Sequence, residues 1–122
     1  MWLRPRPTPL GLRGERAAAR YLWFRGFRIL ERNLHLGRYE IDLLAQQGDT
    51  IVFVEVKTRR RADATDPHDS VGPQKQRHIK AAAQIYQAKH PSDDTYYRFD
   101  IVSVVYPDSG KPQIEHLPDA FR

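Results

Sequence analysis

The sequence has no cysteine, which excludes disulfides, zinc–thiolate sites and thiol nucleophiles. No apolar run approaches the ~20 residues that a membrane-spanning helix needs. The opening stretch, Met1 to Pro9, carries no hydrophobic segment of the kind a secretory signal requires. A cytoplasmic protein with no membrane partner is therefore expected. No Gly-rich phosphate loop follows a strand pattern, and no Gly-x-Ser-x-Gly occurs, so those two routes to phosphate binding and nucleophilic hydrolysis are set aside. The five histidines, at 35, 68, 78, 90 and 116, lack metal-ligand spacing and read as ordinary polar residues. Repeats and low-complexity segments are absent.

Acid is scarce in the first half. Residues 1–61 hold 13 Lys/Arg against 6 Asp/Glu, whereas residues 62–122 hold 7 against 9. Such asymmetry favours an anionic partner, most commonly nucleic acid. Fifteen of the 20 basic residues are arginine, which a GC-rich genome also produces, so charge alone leaves the partner open. At 122 residues, 40% hydrophobic and 29% charged, the chain suits one domain with a single sheet and helices.

One stretch concentrates the chemistry. Glu40-Ile-Asp42-Leu-Leu-Ala and Ile51-Val-Phe-Val-Glu55-Val-Lys57 flank a short polar turn, the pattern of a β-hairpin. Alternation puts Ile51, Phe53, Glu55 and Lys57 on one face, and Asp42 on the face of Glu40 and Leu44. Two carboxylates at adjacent strand ends offer hard oxygen ligands to Mg²⁺ or Mn²⁺. A lysine two residues after the second can orient or deprotonate a water. The spacing Asp-x12-Glu-x-Lys resembles the signature of the PD-(D/E)xK nucleases. A bare Glu-Val-Lys is also what a cross-strand salt bridge looks like.

Around this stretch, residues 1–8 read as a flexible arm broken by prolines, with residues 9–122 as one domain. Thr8 can cap a helix that has Pro9 at its first position and ends near Gly26. On that helix Glu15 either pairs loosely with Arg20 or reaches the carboxylate cluster; Arg13 and Arg16 populate its other sides and, with Arg59–Arg61 and Lys75, are the candidates to hold a nucleic-acid backbone. A first strand is expected over 27–32, a turn over 33–38, strands over 39–46 and 51–59, then a polar loop to Ser70. Arg59-Arg60-Arg61 at the head of that loop is placed for phosphate contacts. A second helix is expected from Pro73 to about Lys89, with Ile79, Ala82, Ala83 and Tyr86 buried. Lys75 and its basic neighbours load the first turns, against the helix dipole, a mismatch that an anion would relieve. Strands over 98–106 and 113–117 close the chain. The order matches the αβββαβ core of the restriction-endonuclease-like fold, an α/β class with a mixed sheet flanked by helices.

Across almost its whole length the chain also resembles the YraN-like family of bacterial proteins. The matching residues are Gly11-x-x-Gly14-Glu15 with Ala18 and Tyr21-Leu22, then Arg32-Asn33, then Glu40-Ile-Asp42-Leu-Leu-Ala. They continue with Val52-Phe-Val-Glu55-Val-Lys57-Thr-Arg59, Val71-x3-Lys75-x3-Ile79 and Arg98-Phe99-Asp100. Tyr39 departs from the glycine usual there. The family is similar to archaeal Holliday junction resolvases, a resemblance that implies a site of Glu15, Asp42, Glu55 and Lys57, and a homodimer working on branched DNA. Three readings compete: a Mg²⁺-dependent endonuclease, a nucleic-acid-binding module that keeps the fold without cleaving, and a protein-interaction domain with a buried polar network. Clustered carboxylates are costly to keep, which favours the first.

Overall fold

The computed structural model describes residues 8–122; the proposed arm, apart from Thr8, lies outside the described residues. Helix α1 spans Pro9–Phe24 and opens on Thr8, whose hydroxyl accepts the Gly11 N–H at 2.9 Å. Pro9 fits its first turn because that position needs no hydrogen-bonded N–H. Gly26, at φ 92°, turns the chain out of the helix, a conformation that side chains disfavour. Strands β1 (Arg28–Leu36), β2 (Tyr39–Gln47) and β3 (Thr50–Arg60) follow as an antiparallel meander. Two short 3₁₀ turns, Arg61–Asp63 and Pro67–Asp69, lead to α2 (Pro73–Lys89). This helix crosses to β4 (Tyr96–Tyr106), which pairs with β3 in parallel along its full length. Strand β5 (Gln113–Phe121) returns antiparallel, giving one mixed sheet in the order β1-β2-β3-β4-β5.

The two sheet faces carry separate cores. Leu43, Ala45, Val52, Val54, Val56, Val102 and Val104 pack under Ala18, Ala19 and Leu22 of α1. On the other face Ile41, Leu44, Ile51, Phe53 and Ile101 pack under Ile79, Ala82 and Ala83 of α2. Contact with α1 is close: a Cβ on Gly14 would sit 1.8 Å from Oγ1 of Thr58. Only glycine lets the helix backbone lie against the end of β3 at that point.

Three sequence expectations need correction. The turn expected over 33–38 is strand through Leu36. Asn33 takes φ 51° inside β1, and the reversal is confined to Gly37 and Arg38. The last strand runs to Phe121 rather than 117, passing Asp119 at φ 52°. Strict alternation does not hold along β2: Ile41 and Leu44 go to the α2 core while Leu43, two residues from Ile41, goes to the α1 core. The slip falls where the β2–β3 ladder ends, at Leu43–Val54, and beside Asn33 of β1 with its positive φ.

Candidate active site

Asp42 stands where β2 parts from β3. Past the last paired residues, the Val56 N–H donates to Oδ2 of Asp42 at 2.9 Å. The carboxylate thus serves an N–H beyond the end of the paired ladder, and a buried N–H has to find some acceptor. Asp42 is 3% exposed and Glu55 7%, among the few polar side chains so enclosed in the described residues. Glu55 faces α2, as its alternation with Ile51 and Phe53 requires, and its Oε2 lies 3.4 Å from Nζ of Lys75. Here is the anion that the basic first turn of α2 needed.

These residues line one cavity of about 610 Å³. Four acids, Glu15, Glu40, Asp42 and Glu55, share its walls with three cations, Lys57, Arg59 and Lys75. Both helices point their N-termini at it, α1 through Thr8 and Gly11, α2 through Val71 and Gly72. Neither helix has an acid in its first turn, so both positive dipole ends face the cavity uncompensated from within their own helices.

Lys57 is half-buried in this wall, and burial lowers its amine pKa below 10.5; Arg59 and Lys75 lower it further, against the pull of Glu55 and Asp42. An ammonium in that position gives up its proton more readily than one in water. Beside it, Nε of Arg59 is buried with no hydrogen-bond partner among the described residues.

The structure brings Glu15, Asp42, Glu55, Lys57, Arg59 and Lys75 together, and separates the other basic candidates from them. Arg60 and Arg61 are exposed past the end of the cavity. Arg13 stacks on Tyr106, its guanidinium 4.6 Å from the ring centroid. Arg16 lines a different groove with Arg20, Arg28 and Arg32. Glu15 lines the cavity, on the side of the carboxylate cluster. Sequence reasoning missed Glu40 as a site residue, although its i, i+2 spacing to Asp42 already suggested a shared wall. It also missed the pairing of Lys75 with Glu55.

The donor chemistry suits a hard divalent cation. Two carboxylates are sufficient for Mg²⁺, which keeps several waters and completes its shell with substrate oxygens. Among the described residues, no three His, Cys, Asp or Glu side chains converge into a ready-made metal cage. Asp42 and Glu55, the two most buried of the four acids on its walls, are the residues that could hold such an ion.

A five-stranded mixed sheet in the αβββαβ order, with an acid on β2 and Glu-x-Lys on β3, defines a restriction-endonuclease-like domain. The chain belongs to the family described as "Uncharacterised protein family UPF0102", whose profile matches residues 14–104. That family is the YraN-like one whose motifs the sequence carries. Among relatives, the "UPF0102 protein" of Anaeromyxobacter dehalogenans (strain 2CP-C) is 44% identical over 112 residues, covering 92% of this chain and 83% of that one. Its counterpart in Geotalea uraniireducens (strain Rf4) is 46% identical over 92% of this chain and 88% of its own. That of Syntrophomonas wolfei is 45% identical over 92% and 96%. Among the described residues, no helix is long and apolar enough to cross a membrane.

Proposed function

We propose that the protein is a divalent-metal-dependent endonuclease that hydrolyses phosphodiester bonds in DNA, branched DNA included. The observation that carries this reading is the juxtaposition of two buried carboxylates with a lysine of lowered pKa in a cavity flanked by two helix N-termini. Asp42 and Glu55 would hold Mg²⁺ or Mn²⁺, and Glu15 would act through water. When bound, the ion supplies positive charge against the phosphoryl oxygens. Lys57 positions the attacking water and accepts its proton, a role its lowered pKa favours. The N-termini of α1 and α2 orient the phosphates on either side, and Arg59 adds charge at the cavity wall.

The Lys75–Glu55 contact favours a second reading, in which the domain binds nucleic acid without cleaving it. An ammonium 3.4 Å from Glu55 neutralises the carboxylate that the first reading gives to the metal. One experiment separates the two. Purified protein is incubated with end-labelled branched, flapped and linear DNA, with Mg²⁺, with Mn²⁺ and with EDTA. Cleavage that requires the divalent ion and is lost in Lys57→Met supports the nuclease. Binding to these DNAs without cleavage under any ion condition supports the binder.

A further inference from the structure

A second depression of about 900 Å³ lies between α1 and β1. Glu15 lines the cavity and Arg16, the next residue, lines the groove. On β1, Asn33 lines the cavity and Arg32, one residue earlier, lines the groove. The groove is thus built on the same helix and strand as the cavity wall, from the residues next in the chain.

The groove has a distinct character. Its lining holds four arginines, Arg16, Arg20, Arg28 and Arg32, and no acid. Ala19 and Ile29 contribute apolar wall, and Trp23 and Phe24 rise from it 62% and 74% exposed. The two rings touch edge to face, with centroids 5.1 Å apart. Large aromatic rings this exposed cost free energy unless something covers them. What covers them must also neutralise four guanidinium groups.

We infer that this groove is a binding site for single-stranded nucleic acid, with phosphates on the arginines and bases stacked on Trp23 and Phe24. Flat rings interleaved with cations are the chemistry by which single strands are held irrespective of sequence. Other occupants fit less well. A second copy meeting the groove across a two-fold axis would set four arginines against four. A membrane surface needs a continuous apolar helix face, but α1 has already buried Gly14, Ala18, Ala19 and Leu22 against the sheet. The inference goes beyond the nuclease reading and does not depend on cleavage.

The test is fluorescence anisotropy of a labelled mixed-sequence single-stranded DNA in EDTA, against a matched single-stranded RNA, the duplex and anionic lipid vesicles. Trp23→Ala with Phe24→Ala should weaken single-strand binding by at least about tenfold and leave duplex binding largely unchanged. Replacing Arg16, Arg20, Arg28 and Arg32 with glutamine should make the salt dependence of single-strand binding shallower by about 3 logarithmic units per decade of salt, at ~0.7 per phosphate. These side chains are at the surface, and circular dichroism checks that each variant stays folded. Unchanged single-strand affinity in both variants overturns the inference. So does a ring-dependent loss confined to lipid vesicles, or a ring-dependent loss of self-association with nucleic-acid binding intact. Because no divalent ion is present, failure here is distinct from failure to cleave.

Discussion

Asp42 has two jobs in this structure, and two substitutions separate them. Its Oδ2 accepts the Val56 N–H at 2.9 Å in a buried setting, and its charge would hold the cation. Asp42→Ala removes both. Leaving the Val56 N–H without an acceptor costs about 1–3 kcal/mol, offset in part by relief of repulsion from the other cavity acids. At this chain length each kcal/mol moves Tm by about 3–6 °C, so a drop of up to roughly 18 °C, less the offset, is expected. Asp42→Asn keeps an oxygen for the same N–H and removes only the charge. Its Tm in EDTA should stay within about 5 °C of the wild type, equivalent to ~1 kcal/mol. Saturating Mg²⁺ should raise the wild-type stability, by about 2.7 kcal/mol at a hundred times Kd, and raise neither variant. Thermal denaturation with and without Mg²⁺, with isothermal titration of the ion, measures all of this. If Asn and Ala destabilise equally, the Val56 N–H does not depend on Asp42, and if either keeps the Mg²⁺-dependent rise, the assignment of Asp42 to the metal is wrong.

Further outcomes follow from the same geometry. Lys57→Met should abolish cleavage while raising stability at neutral pH, because a protonated amine with a lowered folded pKa costs stability. That gain should shrink in pH-dependent melts as pH climbs through the lowered value toward 10.5, where the wild-type cost vanishes. Lys75→Met should tighten Mg²⁺ binding by about 2–5-fold in titration, the scale of a partly exposed ion pair. Gly14→Ala should cost about 1–3 kcal/mol in chemical denaturation, since the new methyl collides with Thr58 and pushes α1 outward; a neutral result would show the helix docking to be loose. Burial would raise the pKa of Asp100, but hydrogen bonds from His116 at 2.7 Å, from Arg98 and from the Asp119 N–H outweigh it and hold the pKa below 3.8. This network's stabilising effect is fully present above that pH and is lost as pH falls through the depressed value. Asp100→Asn should therefore lower Tm at pH 7 and flatten its fall in acid.

The sequence revealed most where local chemistry and tertiary position agree. Helix α2 was legible from end to end because Pro73 opens it and Pro91 follows its close. Strands β2 and β3 were legible because buried strands read as apolar runs, and their two carboxylates stood out against that background. Asn33 misled because asparagine at positive φ is also what a turn uses, so a bent strand looked like a loop. Pro118 and Asp119 shortened β5 on paper for the same reason. The contact of Lys75 with Glu55 had no local signature: it joins residues twenty positions apart, from a helix to a strand. Likewise His116 read as an ordinary polar residue, yet it is one of the groups that let Asp100 be fully buried.

The bends in the outer strands matter beyond the cavity. Strands β1 and β5 are the two edges of the sheet, and each is irregular: β1 shifts register between Ile29 and Glu31 and bends at Asn33, and β5 bends at Asp119 just after Pro118. An incoming strand needs a straight row of unpaired N–H and C=O groups to dock upon, and neither margin offers a long one. Among the described residues, the irregular edges make extension of the sheet by a second strand less favourable than a straight edge would. The same bends shorten the straight run that strand-to-strand aggregation would use.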